Sequence, residues 1–335
     1  MKHLLLTTIA VVLSSTALAA PDSLKKAHME AHKMMTDAVA KSDLPSVVAV
    51  GINSNGDKIE FCHGGVSWGK KKKVTTKNLF RIHSMTKLVT SIAAMQLVEQ
   101  GKLELDQDLS KLLPEMASIP MLTVEGELVE AKRAITLRHL LTHTAGFGYQ
   151  NITYKVPAGF DAKNWKYEDF PRQFESGTRF LYGTNTDWAG KLVEKVSSMT
   201  LEAYFKKHIF KPLGIKSTYY NVPEKAKKRI VSMGNRGEDG KSKLREIDGD
   251  TESPNRYPVG KTTKFSGGNG LFSTPSDYTE ILQCMLNYGA YKGGRILKKE
   301  TVEKMTENHI GDISLDPTGW HYDPGTCCNF NGLMD

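Results

Sequence analysis

The sequence predicts an α/β (α+β) chain in which antiparallel strands come first, helices fill the middle, and strands return at the end to complete a sheet. Three observations predict it. Two strand-like runs flank a strong turn near the start. One helix, apolar nearly all round, follows them. Helix and loop patterns dominate after Asp106. With 335 residues, 39% apolar and 24% charged, the chain can bury a large core and has neither a disordered nor a fibrous composition.

Residues 1–20 have a short basic start, Met1-Lys2-His3, then an apolar run over residues 4–13 and an A-x-A cleavage signal at Ala17-Leu18-Ala19. The run is too short to span a bilayer, so the segment is expected to be a secretory signal peptide. The mature chain is then expected to be exported, periplasmic or secreted, with no integral membrane segment.

Residues 24–41 have helical spacing. Residues 46–52 are Val-rich and read as a strand. Asn53-Ser54-Asn55-Gly56-Asp57 is a turn signal, and residues 58–66 read as the second strand of a hairpin. Residues 85–100 form the largely apolar helix, stopped by Gly101 and carrying Ser84 at its N-terminal end. Thr136 reads as the N-cap of a short helix over 137–143, ended near Gly146. Further helices are expected over 187–197, 201–210 and 276–288, the last capped by Ser276 after Pro275. Residues 234–262 read as a long surface loop.

The net charge of +8 raises the possibility of nucleic-acid binding. The lysines are spread out, however, except for Lys70 to Lys73, where a solvated turn is expected, and no basic stretch is interleaved with aromatics. No nucleic-acid partner is expected. The cysteines, Cys62, Cys284, Cys327 and Cys328, match no zinc spacing and read as incidental; three disulfide pairings stay open for an exported chain. His139 and His143 are four apart but lack the Glu of H-E-x-x-H, so they read as packing or turn support. No metal or organic cofactor is expected.

Ser84-Met85-Thr86-Lys87 is an S-x-x-K motif. Residues three apart share a helix face, so Lys87 can bring its amine to the Ser84 hydroxyl and serve as its base. The helix N-terminus favours the negative charge that develops there. Ser23-Leu24-Lys25-Lys26 and Ser67-Trp68-Gly69-Lys70 match the same pattern, but only the Ser84 copy opens a buried helix. Tyr182, in Leu181-Tyr182-Gly183-Thr184-Asn185, is the second candidate, because a phenol near a lysine can relay a proton.

These pieces, roughly a hundred residues apart and in this order, resemble the serine β-lactamase-like superfamily. The flanking segments strengthen the likeness: Asn78-Leu79-Phe80-Arg81-Ile82-His83 before Ser84, His143-Thr144-Ala145-Gly146, Ile209-Phe210-Lys211-Pro212-Leu213-Gly214, and Gly267-Gly268-Asn269-Gly270-Leu271. The resemblance implies an antiparallel sheet flanked by helices plus an inserted helical domain. On that pattern residues 21–105 and 255–335 form the α/β domain and residues 106–254 the helical one. It implies an acyl-enzyme on Ser84, proton transfer by Lys87 and Tyr182, and an oxyanion contact from the Ser84 backbone N–H.

Two departures shape the expected function. The family's Y-x-N is here Tyr182-Gly183-Thr184, without the asparagine that contacts an amide, and Asn185 falls one position late. The family's third motif, K-T-G, H-x-G or W-G-G, has no copy near the end: His63-Gly64-Gly65 precedes Ser84, and Thr318-Gly319-Trp320 does not match. The C-terminal strands are therefore expected to be missing. Three readings stand on the sequence: a carboxylesterase acting on short acyl esters, a β-lactamase or D-alanyl-D-alanine peptidase acting on cell-wall-like amides, and a truncated, non-catalytic relative.

Overall fold

The computed structural model describes residues 21–149, 166–235, 243–246 and 261–313. The signal segment, most of the 234–262 loop and the tail holding Thr318, Cys327 and Cys328 lie outside the described residues. In chain order the elements are α1 (Pro21–Ala40), β1 (Ser46–Ile52), β2 (Lys58–Gly64), β3 (Phe80–Arg81), α2 (Thr86–Glu99), β4 (Met121–Leu122), β5 (Leu128–Val129), α3 (Leu137–Leu141), α4 (Asn185–Ser197) and α5 (Leu201–Phe205). There follow α6 (Glu224–Lys227), β6 (Gly234–Asn235), β7 (Arg245–Glu246), β8 (Phe272–Ser273), α7 (Pro275–Leu286) and α8 (Lys299–Met305).

The chain divides into two compact units. The first takes the described residues of Met1–Arg81, Leu213–Thr263 and Leu271–Gly293; the second takes those of Ile82–Pro212, Lys264–Gly270 and Gly294–Asp335. The division at Arg81 groups α2 with the helix-rich unit, whereas the sequence carried the sheet domain on to residue 105.

In the first unit β1 and β2 pair antiparallel from Ser46↔Gly64 to Ile52↔Lys58. Asn53 builds the turn, its Oδ1 accepting the backbone N–H groups of Asn55 and Asp57, each at 3.0 Å. α1 packs on β2 and α7 on β1, so helices flank this ladder. β3 pairs antiparallel with β8, over a cluster of Leu79, Val222, Ala226, Ile230 and Phe272. Two expectations need correction. The cap of α7 is Thr274, whose Oγ1 accepts the Asp277 N–H at 3.0 Å, with Pro275 in the first turn; Ser276 instead donates to the Thr76 carbonyl. Proline suits that first position because its missing N–H would have had no helical partner. The 234–262 segment is also not all loop, because β6 and β7 pair antiparallel within it.

In the second unit α2 is buried on most sides, through Val89, Ile92, Ala93, Met95 and Leu97. Its end is a Schellman arrangement: Gly101, at φ 66°, gives its N–H to Val98 O, and Lys102 gives its N–H to Leu97 O. α2 packs on α4 and α5, and α3 packs on α4. Thr136 caps α3 as expected. Its Oγ1 accepts the His139 N–H, and His139 Nδ1 accepts the Thr136 N–H, each at 3.3 Å. His139 is thus a capping residue. The helix expected over 201–210 opens into a π-helical turn, Lys206–Phe210, after α5, which sets the Phe205 and Phe210 rings 6.0 Å apart. Among the described residues no helix is long and apolar enough to cross a membrane.

Candidate active site

Ser84 stands in a short 3-10 turn, His83–Met85, just before α2. His83 has a φ of 43°, a left-handed conformation that a side chain adopts only at a cost. The sequence placed Ser84 on the helix end; the turn instead leaves it exposed ahead of the buried helix. The S-x-x-K spacing acts as expected, with Lys87 Nζ donating to Ser84 Oγ at 3.3 Å.

Two further acceptors hold the Lys87 amine. One is the Tyr149 hydroxyl at 3.1 Å, the other the Gly268 carbonyl at 2.9 Å. Three acceptors match the three hydrogens of an ammonium group. A neutral amine keeps two of these bonds and turns its lone pair to Ser84, which is the state a base requires. Tyr182 also reaches Lys87, through its ring face, with the nitrogen 4.7 Å from the ring centre. The Tyr149 hydroxyl makes side-chain hydrogen bonds to both Ser84 and Tyr182, and burial pushes its phenol well above the usual tyrosine range.

The sequence reading missed Tyr149. The residue stands two positions beyond the His143-Thr144-Ala145-Gly146-Phe147 segment. Local packing places it. Phe147 is fully buried and stacks near Trp188 of α4, with ring centres 5.8 Å apart. A Cβ at Gly183 would lie 2.3 Å from the Phe147 carbonyl oxygen, so only glycine lets this segment pass so close to Tyr182.

The His143 ring packs on Tyr182 at 4.5 Å between centres. Its imidazole is enclosed, although the residue as a whole is only partly buried. That enclosure, helped by the Lys87 charge, lowers its pKa to about 3. Asn185 is wholly buried. Its amide donates to the Phe147 carbonyl at 2.9 Å and the Leu181 carbonyl at 3.1 Å, and lies 3.1 Å from His143 Nδ1. It serves the interior and is not a substitute for the missing Y-x-N asparagine. Thr184, at the asparagine position itself, is buried, with its hydroxyl directed to Gly148 O at 3.5 Å.

Asp187, read from sequence only as the start of a helix, holds the strap Ser266-Gly267-Gly268. Its carboxylate accepts from the Ser266 hydroxyl and from Gly268 N–H. Burial raises its pKa above the usual range, opposed by those bonds and by Lys87. Thr90 donates to Gly267 O at 2.7 Å, and a Cβ at Gly267 would lie 2.2 Å from Thr186 O. The glycine pair therefore lies tight against α2 and α4, with one carbonyl aimed at Lys87. Among the described residues there is no group of three or more metal-binding side chains.

A serine, a lysine and two phenols meet at this site. The Beta-lactamase family model matches residues 31–323, and the chain belongs to that family. It is similar to the Lovastatin esterase of Penicillium rubens, 35% identical over 261 residues, covering 72% of this chain and 63% of that one. It is also 30% identical over 272 residues to the Monacolin J acid methylbutanoyltransferase of Aspergillus terreus, covering 76% of this chain. The chain spans 63% of the length of these curated relatives. Among solved structures it matches unliganded simvastatin synthase (LovD) from Aspergillus terreus, with 27% identity and a TM-score of 0.69, covering 85% of this chain and 71% of that one.

Proposed function

We propose that the chain is a serine carboxylesterase acting on small-molecule esters. Ser84 takes the acyl group, and water removes it. The observation that carries this reading is the Lys87 amine, 3.3 Å from Ser84 Oγ and held by Tyr149 and Gly268. A neutral Lys87 takes the Ser84 proton as Oγ adds to the ester carbonyl. The alcohol then leaves with a proton, and water repeats the sequence on the acyl-enzyme. The preference for esters over amides rests on Thr184, a short hydroxyl turned inward where the amide-binding asparagine would stand. The relatives' names, an esterase and an acyltransferase, fit the same chemistry. The second of them favours a variant reading in which an alcohol replaces water as acceptor.

Purified protein should be assayed with p-nitrophenyl butyrate and with a chromogenic cephalosporin. Ester turnover that disappears in Ser84→Ala, with no cephalosporin opening, is the expected result. Faster opening of the cephalosporin than of the ester would overturn the ester reading in favour of amides. The proposal extends to export: protein recovered from outside the cytoplasm should begin near residue 20.

A further inference from the structure

The hydroxyl of Tyr149 is 3.1 Å from Lys87 Nζ and also bonds Ser84, whereas the site's other tyrosine, Tyr182, offers Lys87 its ring face. One phenol thus offers its oxygen to the amine beside the nucleophile, and the other cradles the amine's charge. We propose that Tyr149 is a second catalytic tyrosine, the general acid that protonates the departing alcohol, while Tyr182 chiefly holds the Lys87 cation. The inference rests on the acyl-transfer reading of Ser84.

The proton count closes. Lys87 takes the Ser84 proton during attack and becomes an ammonium. Once Oγ is bonded to the acyl carbon it no longer engages Tyr149, and the leaving oxygen departs from that same carbon, one bond away. Tyr149 gives its proton to the leaving oxygen and regains one from Lys87, which it already accepts. Lys87 ends neutral, and the alcohol leaves protonated. In deacylation the path runs in reverse: Tyr149 takes the proton of the attacking water and passes one to Lys87, which returns it to Ser84 Oγ. Nothing outside substrate and water is consumed. A phenol raised by burial is a weak acid at rest, so the transfer belongs to the moment when alkoxide character develops on the leaving oxygen.

The test uses two butyrate esters that differ in leaving group. p-Nitrophenolate departs without a proton; ethanol does not. Tyr149→Phe removes one oxygen and keeps the ring. It should lose roughly 10²–10⁴-fold in kcat/KM on ethyl butyrate but at least tenfold less than that on p-nitrophenyl butyrate. Tyr182→Phe keeps its cation-holding ring and should lose similar, smaller factors on both. A merely structural role for Tyr149 would lower both esters equally, and that result overturns the proposal, as does a selective ethyl-ester loss in Tyr182→Phe. The comparison is a ratio on residual activity, so partial misfolding does not mimic it. If wild-type protein turns over neither ester and Ser84 takes no fluorophosphonate, the acyl-transfer reading itself fails, which is a different result from equal losses.

Discussion

Asp187 is joined to Lys87 through one residue: Gly268 gives its N–H to the Asp187 carboxylate at 3.3 Å and receives the Lys87 amine on its carbonyl at 2.9 Å. The carboxylate therefore acts on the amine twice, by aiming its acceptor and by its charge. Asp187→Asn keeps an oxygen for Gly268 and removes the charge. Its kcat/KM should stay within about tenfold of wild type, because an oxygen that holds the strap remains. Asp187→Ala also frees the strap, and a misplaced catalytic group costs about 10²-fold. Equal losses in the two variants would contradict the positioning role of the Asp187 oxygen.

His143 makes stability fall in acid. Burial first, and Lys87 second, lower its folded pKa to about 3, against an ordinary value of 6.5. Between those values the unfolded chain binds a proton that the folded chain refuses. Stability is therefore complete above about pH 6.5 and declines as pH falls towards 3, by up to about 1.4 kcal/mol per pH unit from this residue. Urea midpoints at pH 5 and pH 7 check it: the gap between them should shrink in His143→Phe, and an unchanged gap would contradict the assignment.

Asn185 is predicted to be a folding residue. Asn185→Ala strands two buried carbonyls, those of Phe147 and Leu181, at about 1–3 kcal/mol for each unpaired group. Asn185→Asp should be worse, because a carboxylate would face the same two oxygens. Thermal denaturation measures both. A raised KM with unchanged melting would instead make Asn185 a substrate contact.

What could be read from the sequence was local. Ser84 and Lys87 are three residues apart, so helix geometry alone predicts their meeting. The β1–β2 hairpin was legible for the same reason: its turn chemistry sits in Asn53 and its neighbours. Thr136 carried its cap in its own side chain. The cap of α7 was misplaced by two residues because both Thr274 and Ser276 can cap, and only Pro275's preference for the first turn separates them. Tyr149 and Asp187 were missed as site residues because their partners are far off in sequence. Tyr149 meets a lysine 62 residues away, and Asp187 meets Gly268 81 residues away. No periodicity encodes such pairings. They follow from close backbone approach at Gly183 and Gly267, which is visible only after folding.

The central claim is that Ser84 is a nucleophile activated by Lys87, and intact mass after exposure to a fluorophosphonate probe tests it most directly. Wild-type protein should gain one probe mass, Ser84→Ala none, and Lys87→Ala should label far more slowly while remaining folded. A folded wild-type protein that gains no mass, or a Ser84→Ala variant that labels as well as wild type, would contradict it.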